Sequence, residues 1–490
     1  MQKHLKLISG SDLRGVAVDI GGGVTIDRNI ARAAAYQFAA FLREKCGKEE
    51  LKIAVGHDPR LSARELCAGT FEGLGAAKVK VVDCGLCTTP AMFMTTVKLD
   101  CDGAVMITAS HLPFERNGMK FITRQGGLEH DEVAAIAAAM DEDVAPAQPE
   151  TESVDFLAMY AQGLVDFIRE KTGSERPLTG KRIVVDAGNG SGGFFARSVL
   201  EPLGADTTGS RFLDPNGLFP NHIPNPEDAT AMQSVCKAVL DSGADMGVIF
   251  DADCDRAAVV DEKGLPINRN RLIAMLSAIY LEKEPGSTIV TDSVTSAGLT
   301  RFIEAHGGKH LRYRRGYKNV IDKAIELNRE GIACPMGIET SGHCAFAENY
   351  FLDDGAYMAS RLIVELAKRG DLTSLIEGLE EPAEEKEIRL KLTADNFRPD
   401  GEAVIACIKA ARDSREDWMA NTDYEGVKVT IRLTGGEGFF LARLSLHDPV
   451  LPINFESDVP SGVAAMAKQL YDVVKGCKNV DLTPLAELAR

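Results

Sequence analysis

A chain of 490 residues, 45% of them hydrophobic, is too long for one hydrophobic core and predicts three or four domains. Its net charge of −17 argues against a general nucleic-acid surface, because binding to a phosphate backbone needs a basic field. The 11 cysteines are scattered, the N-terminus has no sustained apolar core and no segment approaches an uncharged membrane-spanning length, so we expect reduced thiols, no membrane insertion and a cytoplasmic protein.

Strand-like apolar runs, each followed by a polar or glycine-rich loop and then a helical pattern, recur through roughly the first three quarters of the chain. In order, these runs are KIAVGHD, VKVVDCG, GAVMITAS, RIVVDAGNGSGG, ADMGVIFDAD, STIVTDSVTSAG and CPMGIETSGH. Strands that alternate with helices predict βα units and largely parallel sheets. From about Glu380, the runs IRLKLTAD, GVKVTIRL and FFLARLSL alternate as half-buried strands do, which predicts a smaller α+β domain at the C-terminus.

Three segments indicate where the domains meet. Residues 141–152 are acidic, contain proline and include few large apolar side chains, so they are the best candidate for an exposed connection. Turn signals at Lys263-Gly264 and Arg369-Gly370-Asp371 indicate the next two boundaries. The predicted domains are 1–152, 153–264, 265–375 and 376–490.

The first loop that suggests chemistry is Thr108-Ala109-Ser110-His111, directly after the apolar run GAVMI. Loops at the carboxyl ends of parallel strands are held by the core beneath them and often handle ligands, which favours a functional hydroxyl at Ser110. The alternative, on these residues alone, is a Ser/His turn whose hydroxyl bonds its own backbone.

The second loop places Asp251, Asp253 and Asp255 after the apolar run MGVIF. Three carboxylates in five residues repel one another unless a cation holds them, and oxygen ligands suit Mg²⁺. An EF-hand is disfavoured because Arg256 stands where its tight turn wants glycine, and because a strand precedes the loop. A solvated acidic turn is the remaining alternative.

The third loop is Glu339-Thr340-Ser341-Gly342-His343. Its carboxylate and hydroxyl suit hydrogen bonding to a sugar, and His343 titrates near neutral pH. A capped turn is the alternative.

The fourth loop, from Arg432 to Gly438, offers a cation, a hydroxyl and small residues whose backbone N–H groups approach a phosphate closely. A glycine turn between strands at 427–433 and 439–446 fits this segment almost as well.

Taken in order, the four loops resemble those of the α-D-phosphohexomutase family, the phosphomannomutase and phosphoglucomutase enzymes. The resemblance spans the whole chain. Its motifs are Ser11-Asp12-x-Arg14-Gly15, Gly56-x-Asp58-x-Arg60-x-Ser62, Thr108-Ala109-Ser110-His111-x-Pro113 with Asn117-Gly118-x-Lys120, Phe219-Pro220-Asn221-His222-x-Pro224-Asn225-Pro226-Glu227, Asp251-x-Asp253-x-Asp255-Arg256 and Glu339-x-Ser341-Gly342-His343.

The resemblance implies an α/β fold of four domains around a central cleft: three similar α/β domains with mixed or parallel sheets, and a C-terminal α+β domain. It implies a hexose-phosphate mutase that interconverts the 1-phosphate and 6-phosphate of mannose, glucose or both. The reaction would pass through a phosphoserine enzyme and a 1,6-bisphosphate. Mg²⁺ is the implied cofactor, hexose 1,6-bisphosphate the implied activator and intermediate, and small hexose phosphates the implied partners, with no nucleic acid or membrane.

The resemblance also implies roles for individual residues. Ser110 is the implied nucleophile. The implied metal ligands are Ser110, Asp251, Asp253 and Asp255. The other implied catalytic residues are Lys120 as general acid or base, Arg14 and Arg256 as assisting cations, and His111 in second rank. The implied substrate-binding residues are Glu339, Ser341, His343, Lys318, Arg432, Thr434, Gly435, Gly436 and Arg443.

Two loops depart from the family pattern. Leu112 stands where the family often has Asn. The family's phosphate loop is roughly Arg-x-Ser-Asn/Gly-Thr-Glu-Pro-x-x-Arg. Counted from Arg432, Gly436 replaces its Thr, Gly438 replaces its Pro, and Arg443 lies two residues too far along, so a bulge would be needed to bring Arg443 to the site.

Three other functions remain open from the sequence. His343 resembles the mannose/glucose and glucosamine mutases more than the glucose-specific ones, which keeps a phosphoglucosamine mutase in view. A metal-dependent sugar phosphatase would use Asp251 as nucleophile, but it leaves the serine loop unexplained. A non-catalytic sugar-phosphate sensor is supported only by the altered C-terminal loop.

Overall fold

The computed structural model describes residues 2–445 and 448–490. Two compact units make up the chain. The first holds the chain up to Asn268 together with Ser341–Ser374, and the second holds Arg269–Thr340 together with Leu375–Arg490.

A mixed sheet begins the first unit. Its strands are β1 (Ile8–Ser9), β2 (Asp12–Val16), β3 (Lys52–His57), β4 (Lys80–Leu86), β5 (Gly103–Ile107), β6 (Arg116–Thr123), β7 (Gly126–Gly127) and β8 (Thr151–Ser153). The order is β1-β2-β6-β5-β3-β4-β8, with β7 beside β6. Strand β3 pairs in parallel with β4 and β5, whereas β6 runs antiparallel to β2 and β5. The helices are α1 (Gln2–Leu5), α2 (Arg28–Cys46), α3 (Ala63–Ala76), α4 (Thr89–Lys98) and α5 (His130–Ala139).

Close packing of α2 on α3 depends on two glycines. A Cβ on Gly69 or Gly73 would lie 2.1 Å from the carbonyl oxygen of Arg28 or Arg32, respectively. Any larger side chain on this face of α3 would push the helices apart, so the glycines set their spacing.

A second, smaller sheet follows in the same unit. It comprises β9 (Ile183–Asp186), β10 (Met246–Phe250), β11 (Ala257–Asp261) and β12 (Pro266–Ile267) in the order β12-β11-β10-β9. Strand β10 is parallel to β9 and antiparallel to β11. The accompanying helices are α6 (Phe156–Thr172), a π-helix (Phe195–Leu200), a 3₁₀ turn (Glu201–Leu203) and α7 (Ala229–Ser242).

The next elements open the second unit. They are α8 (Arg269–Lys283), β13 (Thr288–Thr291), α9 (Ala297–Ala305), β14 (Lys309–Arg312), α10 (Tyr317–Arg329) and β15 (Met336–Ile338). Strand β13 pairs in parallel with both β14 and β15. The chain then supplies β16 (Cys344–Phe346), a 3₁₀ turn (Ala347–Asn349) and α11 (Gly355–Arg369) to the first unit, before a last 3₁₀ turn (Thr373–Ile376).

The C-terminal part of the second unit is built on an antiparallel sheet. Its strands are β17 (Glu384–Lys391), β18 (Trp418–Ala420), β19 (Val427–Leu433), β20 (Gly436–Ala442) and β21 (Val450–Ser457), in the order β17-β21-β20-β19-β18. The helices are α12 (Arg398–Ser414), α13 (Gly462–Val474) and α14 (Thr483–Leu488). Their apolar faces and the sheet share one core, which includes Trp418, Phe440 and Leu470.

The predicted organisation, α/β parts with mixed sheets followed by a different C-terminal sheet domain, is confirmed, whereas the four domain boundaries and the central cleft stay predictions. The predicted connection at 141–152 is exposed or half-buried along its whole length, as expected, and its last two residues begin β8, which pairs in parallel with β4. One local expectation was wrong. The strand predicted at 439–446 is β20, which starts earlier and ends at Ala442, and Leu446 lies outside the described residues. Within residues 2–445 and 448–490, no helix is long and apolar enough to cross a membrane.

A buried ion pair joins Asp186, at the end of β9, to His222 in the segment before α7. His222 Nε2 lies 3.0 Å from Asp186 Oδ1, and its Nδ1 lies 2.8 Å from the carbonyl oxygen of Ile223. Both ring nitrogens face acceptors, so the imidazole must carry two protons to satisfy them. Burial lowers the pKa of His222, but the hydrogen bond to Asp186 and its charge, helped by the Ile223 carbonyl, outweigh burial and raise that pKa above 6.5.

This pair predicts a pH-dependent stability. Because the folded pKa of His222 lies above the unfolded value, the contribution is complete below about pH 6.5 and is lost as the pH rises through the folded pKa. We expect His222→Gln to lower the free energy of unfolding by about 1.5 to 3 kcal/mol at pH 5.5, the scale of a charge-assisted hydrogen bond, and by less at pH 8.5. Urea unfolding of both proteins at the two pH values measures this, and an equal loss at both would show that His222 is neutral when folded.

Candidate active site

Ser110 lies on the loop that leaves the fully buried strand β5. It is 4% exposed and has φ of 52°, in the left-handed region that residues other than glycine rarely occupy. Its hydroxyl donates to Asp251 Oδ2 at 2.9 Å and accepts from Arg256 Nη2 at 3.0 Å. The hydroxyl therefore points into a charged cluster, which excludes the simple Ser/His turn.

The aspartate loop joins the antiparallel strands β10 and β11, whose last pair is Phe250 and Ala257. Asp251, Asp253 and Asp255 are all buried, and one oxygen from each lies within 4.8 Å of the others. This burial excludes the solvated acidic turn, because carboxylates so close together in a dry loop need cations near them.

The three carboxylates differ in their proton affinity. Burial, and then the negative charge of Asp255, raises the pKa of both Asp251 and Asp253. Burial also acts to raise the pKa of Asp255, but the positive charges of Lys120, His343 and Arg256 outweigh it and lower that pKa. The cations of the protein therefore stabilise the charged form of Asp255, but at Asp251 and Asp253 they do not offset burial and the repulsion between carboxylates.

Two buried carboxylate oxygens in this loop indicate whether its residues suit a metal ion. Asp253 Oδ1 and Asp255 Oδ1 have no hydrogen-bond partner in the part of the chain that the structure describes. A buried carboxylate oxygen without a partner is costly, and an all-oxygen donor set suits a hard divalent cation. The residues present therefore fit Mg²⁺.

Two buried cations partly balance the loop. Lys120 Nζ donates to Asp255 Oδ2 at 2.6 Å and lies 3.8 Å from Asp253 Oδ2. Arg256 donates to Asp251 Oδ2 from Nε at 3.1 Å and from Nη2 at 3.0 Å. Both predicted basic residues are thus in direct contact with the aspartates.

Arg14 and His111 are the remaining predicted catalytic side chains. Arg14 Nη2 donates to Asp12 at 2.8 Å, on the strand that pairs with β6. His111 Nδ1 lies 2.5 Å from Arg256 Nη2. Burial, then the positive charges of Arg256 and Arg14, lowers the pKa of His111 to about 3, so His111 is neutral and accepts at Nδ1.

His343, from the predicted sugar loop, contacts this cluster. Its Nδ1 lies 2.5 Å from Asp353 Oδ2. One possible metal-ligand atom from each of Asp255, His343 and Asp353 lies within 4.8 Å of the other two. Its backbone forms an isolated antiparallel bridge with Arg256. Burial lowers the pKa of His343, but the charges of Asp353 and Asp255 outweigh it and raise that pKa.

The other residues predicted to bind the sugar are divided between the two units. Ser341 belongs to the first unit, whereas Glu339 and Lys318 belong to the second. Glu339 is buried and accepts from the Gly316 N–H at 2.6 Å. Lys318 Nζ lies 3.4 Å from Asp322 on its own helix, α10.

The fourth predicted loop is the tight end of a β-hairpin. Pairing between β19 and β20 is unbroken from Val427 and Ala442 to Leu433 and Gly436, so only Thr434 and Gly435 remain in the turn. The bulge expected to bring Arg443 back toward Arg432 is absent. The two arginines lie at opposite ends of the hairpin, roughly 20 Å apart at about 3.3 Å per residue. The prediction that they share one site was therefore wrong.

A different loop was missed from the sequence. Arg443 begins the connection from β20 to β21, and its buried Nε has no hydrogen-bond partner among the described residues. Burial, then the positive charge of Arg315, lowers the pKa of Arg443. The available signal was spacing: Arg443-x-Ser445 followed by Pro449 matches the Arg-x-Ser and Pro of the family pattern, whereas the same count from Arg432 does not.

Comparison with known domain families gives three matches in chain order. They are phosphoglucomutase/phosphomannomutase alpha/beta/alpha domain I over residues 6–146, domain II over 158–264 and domain III over 268–383. All three matches lie in the part of the chain that precedes the C-terminal sheet.

Similar proteins cover nearly the full length. A phosphoglucomutase of Neisseria gonorrhoeae is 28% identical over 470 residues, which is 94% of this chain and 96% of the relative. A phosphomannomutase/phosphoglucomutase of Pseudomonas putida is 30% identical over 447 residues, 90% and 91% of the two chains. The crystal structure of a phosphoglucomutase/phosphomannomutase family protein from Burkholderia thailandensis matches with a TM-score of 0.80 and 28% identity, over 97% of this chain and 98% of that one.

Proposed function

Because this chain belongs to the phosphoglucomutase/phosphomannomutase family, we propose that it is an intramolecular phosphotransferase that interconverts the 1-phosphate and 6-phosphate of a hexose, mannose or glucose. The observation that carries the proposal is the setting of Ser110. Its hydroxyl is buried between the carboxylate of Asp251 and the guanidinium of Arg256. A hydroxyl between an acceptor and a fixed cation is suited to carry and release a phosphoryl group.

In the proposed cycle the resting enzyme carries a phosphoryl group on Ser110 Oγ. The free hydroxyl of a hexose monophosphate attacks phosphorus and its proton passes to a base, while the bond to Ser110 Oγ breaks and the serine oxygen takes up a proton. The product is a hexose 1,6-bisphosphate. It turns over in the site, and its other phosphate returns to Ser110 by the reverse step, so no phosphate is gained or lost.

The positive charge for this transfer has two proposed sources. Mg²⁺ bound by Ser110 and the three aspartates would neutralise charge on the phosphoryl group. Arg256, already 3.0 Å from Ser110 Oγ, is placed to contact an oxygen of the same group, with Arg14 in support. Lys120, held against Asp255, is the proposed proton carrier, with neutral His111 second.

For the sugar we propose hydrogen bonds from Glu339, Ser341 and His343. Asp353, which contacts His343 Nδ1, and the neighbouring Asp255 would keep His343 protonated at Nδ1. Lys318 remains a proposed substrate contact on α10.

For the phosphate that is not transferred we propose Arg443 with Ser445 and Arg315. Arg443 is partly buried, its Nε has no hydrogen-bond partner among the described residues, and the positive charge of Arg315 disfavours its charged form. A bound anion would therefore stabilise the Arg443 guanidinium. The original candidates Arg432, Thr434, Gly435 and Gly436 stay as the competing proposal, but Gly436 already pairs with Leu433 in the sheet.

Two substitutions distinguish the two proposed phosphate-binding positions. Arg443→Ala should raise KM for hexose phosphates by roughly 10- to 150-fold, because a charge-assisted contact of about 1.5 to 3 kcal/mol is lost from ground and transition states alike. Arg432→Ala, at an exposed position of the same hairpin, should leave KM within about twofold and is the matched control. Steady-state kinetics decide this, and the reverse pattern would return the anchor to the Thr434-Gly435 turn.

One assay tests the function and its alternatives. The 1-phosphates of glucose, mannose, glucosamine and N-acetylglucosamine are each incubated with Mg²⁺ and a trace of 1,6-bisphosphate. We expect 6-phosphate from glucose or mannose. Turnover of only the amino sugar would indicate a phosphoglucosamine mutase, release of free phosphate a phosphatase, and binding without turnover a sensor.

A further inference from the structure

Arg60, three residues after β3, is 2% exposed, yet every one of its five side-chain N–H donors has an acceptor. Its Nε donates to Asp58 Oδ2 at 3.0 Å. The other acceptors are backbone carbonyl oxygens of the loop that carries the nucleophile: Ser110 at 2.5 Å, Leu112 at 2.7 Å, Pro113 at 2.7 Å and Arg116 at 2.9 Å.

The other side of the Ser110 peptide is held through Asp58. Asp58 Oδ2, fully buried, also accepts from Thr108 Oγ1 at 2.8 Å, and Thr108 Oγ1 in turn accepts from the Ser110 N–H at 2.9 Å. Arg60 and Asp58 together therefore hold both ends of the Ser110 backbone: Arg60 donates to the carbonyl, and Asp58 holds the N–H through the hydroxyl of Thr108.

These hydrogen bonds stabilise an unusual backbone conformation at Ser110. A serine at φ of 52° persists only where the surrounding structure holds it there. If the peptide relaxed to an ordinary conformation, Cβ would rotate and Oγ would leave Asp251 and Arg256. The ring of Phe219 covers the guanidinium at 5.1 Å, which keeps water from competing for the carbonyls.

We propose that Arg60 is a positioning residue for Ser110: its guanidinium, oriented by Asp58, holds the loop from Ser110 to Arg116 so that Ser110 Oγ points at the aspartate cluster. The inference rests on the proposed function. A lysine at this position keeps the charge but has only three donors and no planar fork, so it leaves at least two of the five acceptors without a donor.

Arg60→Lys tests the inference against a matched variant, Arg361→Lys. Arg361 is also fully buried in the first unit, on α11, but its ion pairs are with Glu348 and Glu365, away from the serine loop. Both substitutions should lower stability. Only Arg60→Lys should lower kcat, by roughly 10²-fold, with KM within about threefold, because a misplaced nucleophile slows transfer without weakening the sugar and phosphate contacts.

Two further measurements test whether the loss of kcat comes from a misplaced Ser110. The transfer of phosphate from glucose 1,6-bisphosphate to Ser110, followed by intact mass, should slow in Arg60→Lys to the same degree as kcat. Millimolar guanidinium ion should raise kcat of a folded Arg60→Ala variant, and ammonium should not. Unchanged kcat in Arg60→Lys, or equal loss in both lysine variants, would overturn the inference. A wild-type protein without mutase turnover would instead refute the proposed function.

Discussion

Ser110→Ala should lower kcat for hexose-phosphate interconversion by at least about 10⁴-fold, the scale on which enzymes lose activity with their covalent nucleophile. The reason is chemical: alanine has no oxygen to receive the phosphoryl group, and in this site the Ser110 hydroxyl is the one that lies between Asp251 and Arg256. Intact mass should show one added phosphate on active wild-type protein and none on the variant.

The control for this experiment is Ser360→Ala. Ser360 is fully buried in the same unit, but its hydroxyl donates to the carbonyl of Ala356 in its own helix. Its removal should leave kcat and the phosphate mass unchanged. Mutase activity near the wild-type rate in Ser110→Ala would mean that phosphate transfer uses another residue.

Asp253→Asn should lower kcat by roughly 10²- to 10³-fold, comparable to the loss of one preorganised charge-stabilising group in other active sites. The substitution removes a buried carboxylate whose Oδ1 has no hydrogen-bond partner among residues 2–445 and 448–490, and so should weaken the cation site proposed for this loop. Thorough chelation with EDTA should reduce the wild-type rate to a similar extent, and added Mg²⁺ should restore it.

The same variant should separate function from stability. Without metal, the wild-type loop confines three carboxylates within 4.8 Å of one another, and Asp253→Asn relieves part of that repulsion. We therefore expect the metal-free variant to melt no lower than metal-free wild type, while the rise in Tm on adding Mg²⁺ becomes smaller. Full activity after chelation, with no metal found by elemental analysis, would remove the metal from the mechanism.

Much of the fold was predictable because the signals are local. Apolar runs such as GAVMI and MGVIF predicted β5 and β10, both fully buried, and the loops after them were expected to carry function. The antiparallel pairing of β6 with β5 and of β11 with β10 in these mixed sheets was not visible, because an apolar run indicates burial and not the direction of the neighbouring strand.

The C-terminal loop shows where pattern matching fails. Arg432-x-Thr434-Gly435 looked like a phosphate cradle because it joins a cation to small residues. Whether such residues form a cradle or a hairpin turn depends on the pairing register, and an unbroken register leaves two residues in the turn.

Residue identity and local pattern were enough to predict the main chemical groups of the candidate site: the hydroxyl of Ser110 and the three aspartates, on loops that follow buried strands. Which other side chains contact these groups depends on the tertiary structure. Arg60 lies 50 residues before Ser110, and Lys120 lies 135 residues from Asp255, yet both pairs are in hydrogen-bond contact. Such partners cannot be inferred from local periodicity, because hydrogen bonds and charges act over a few ångströms in space whatever the separation along the chain.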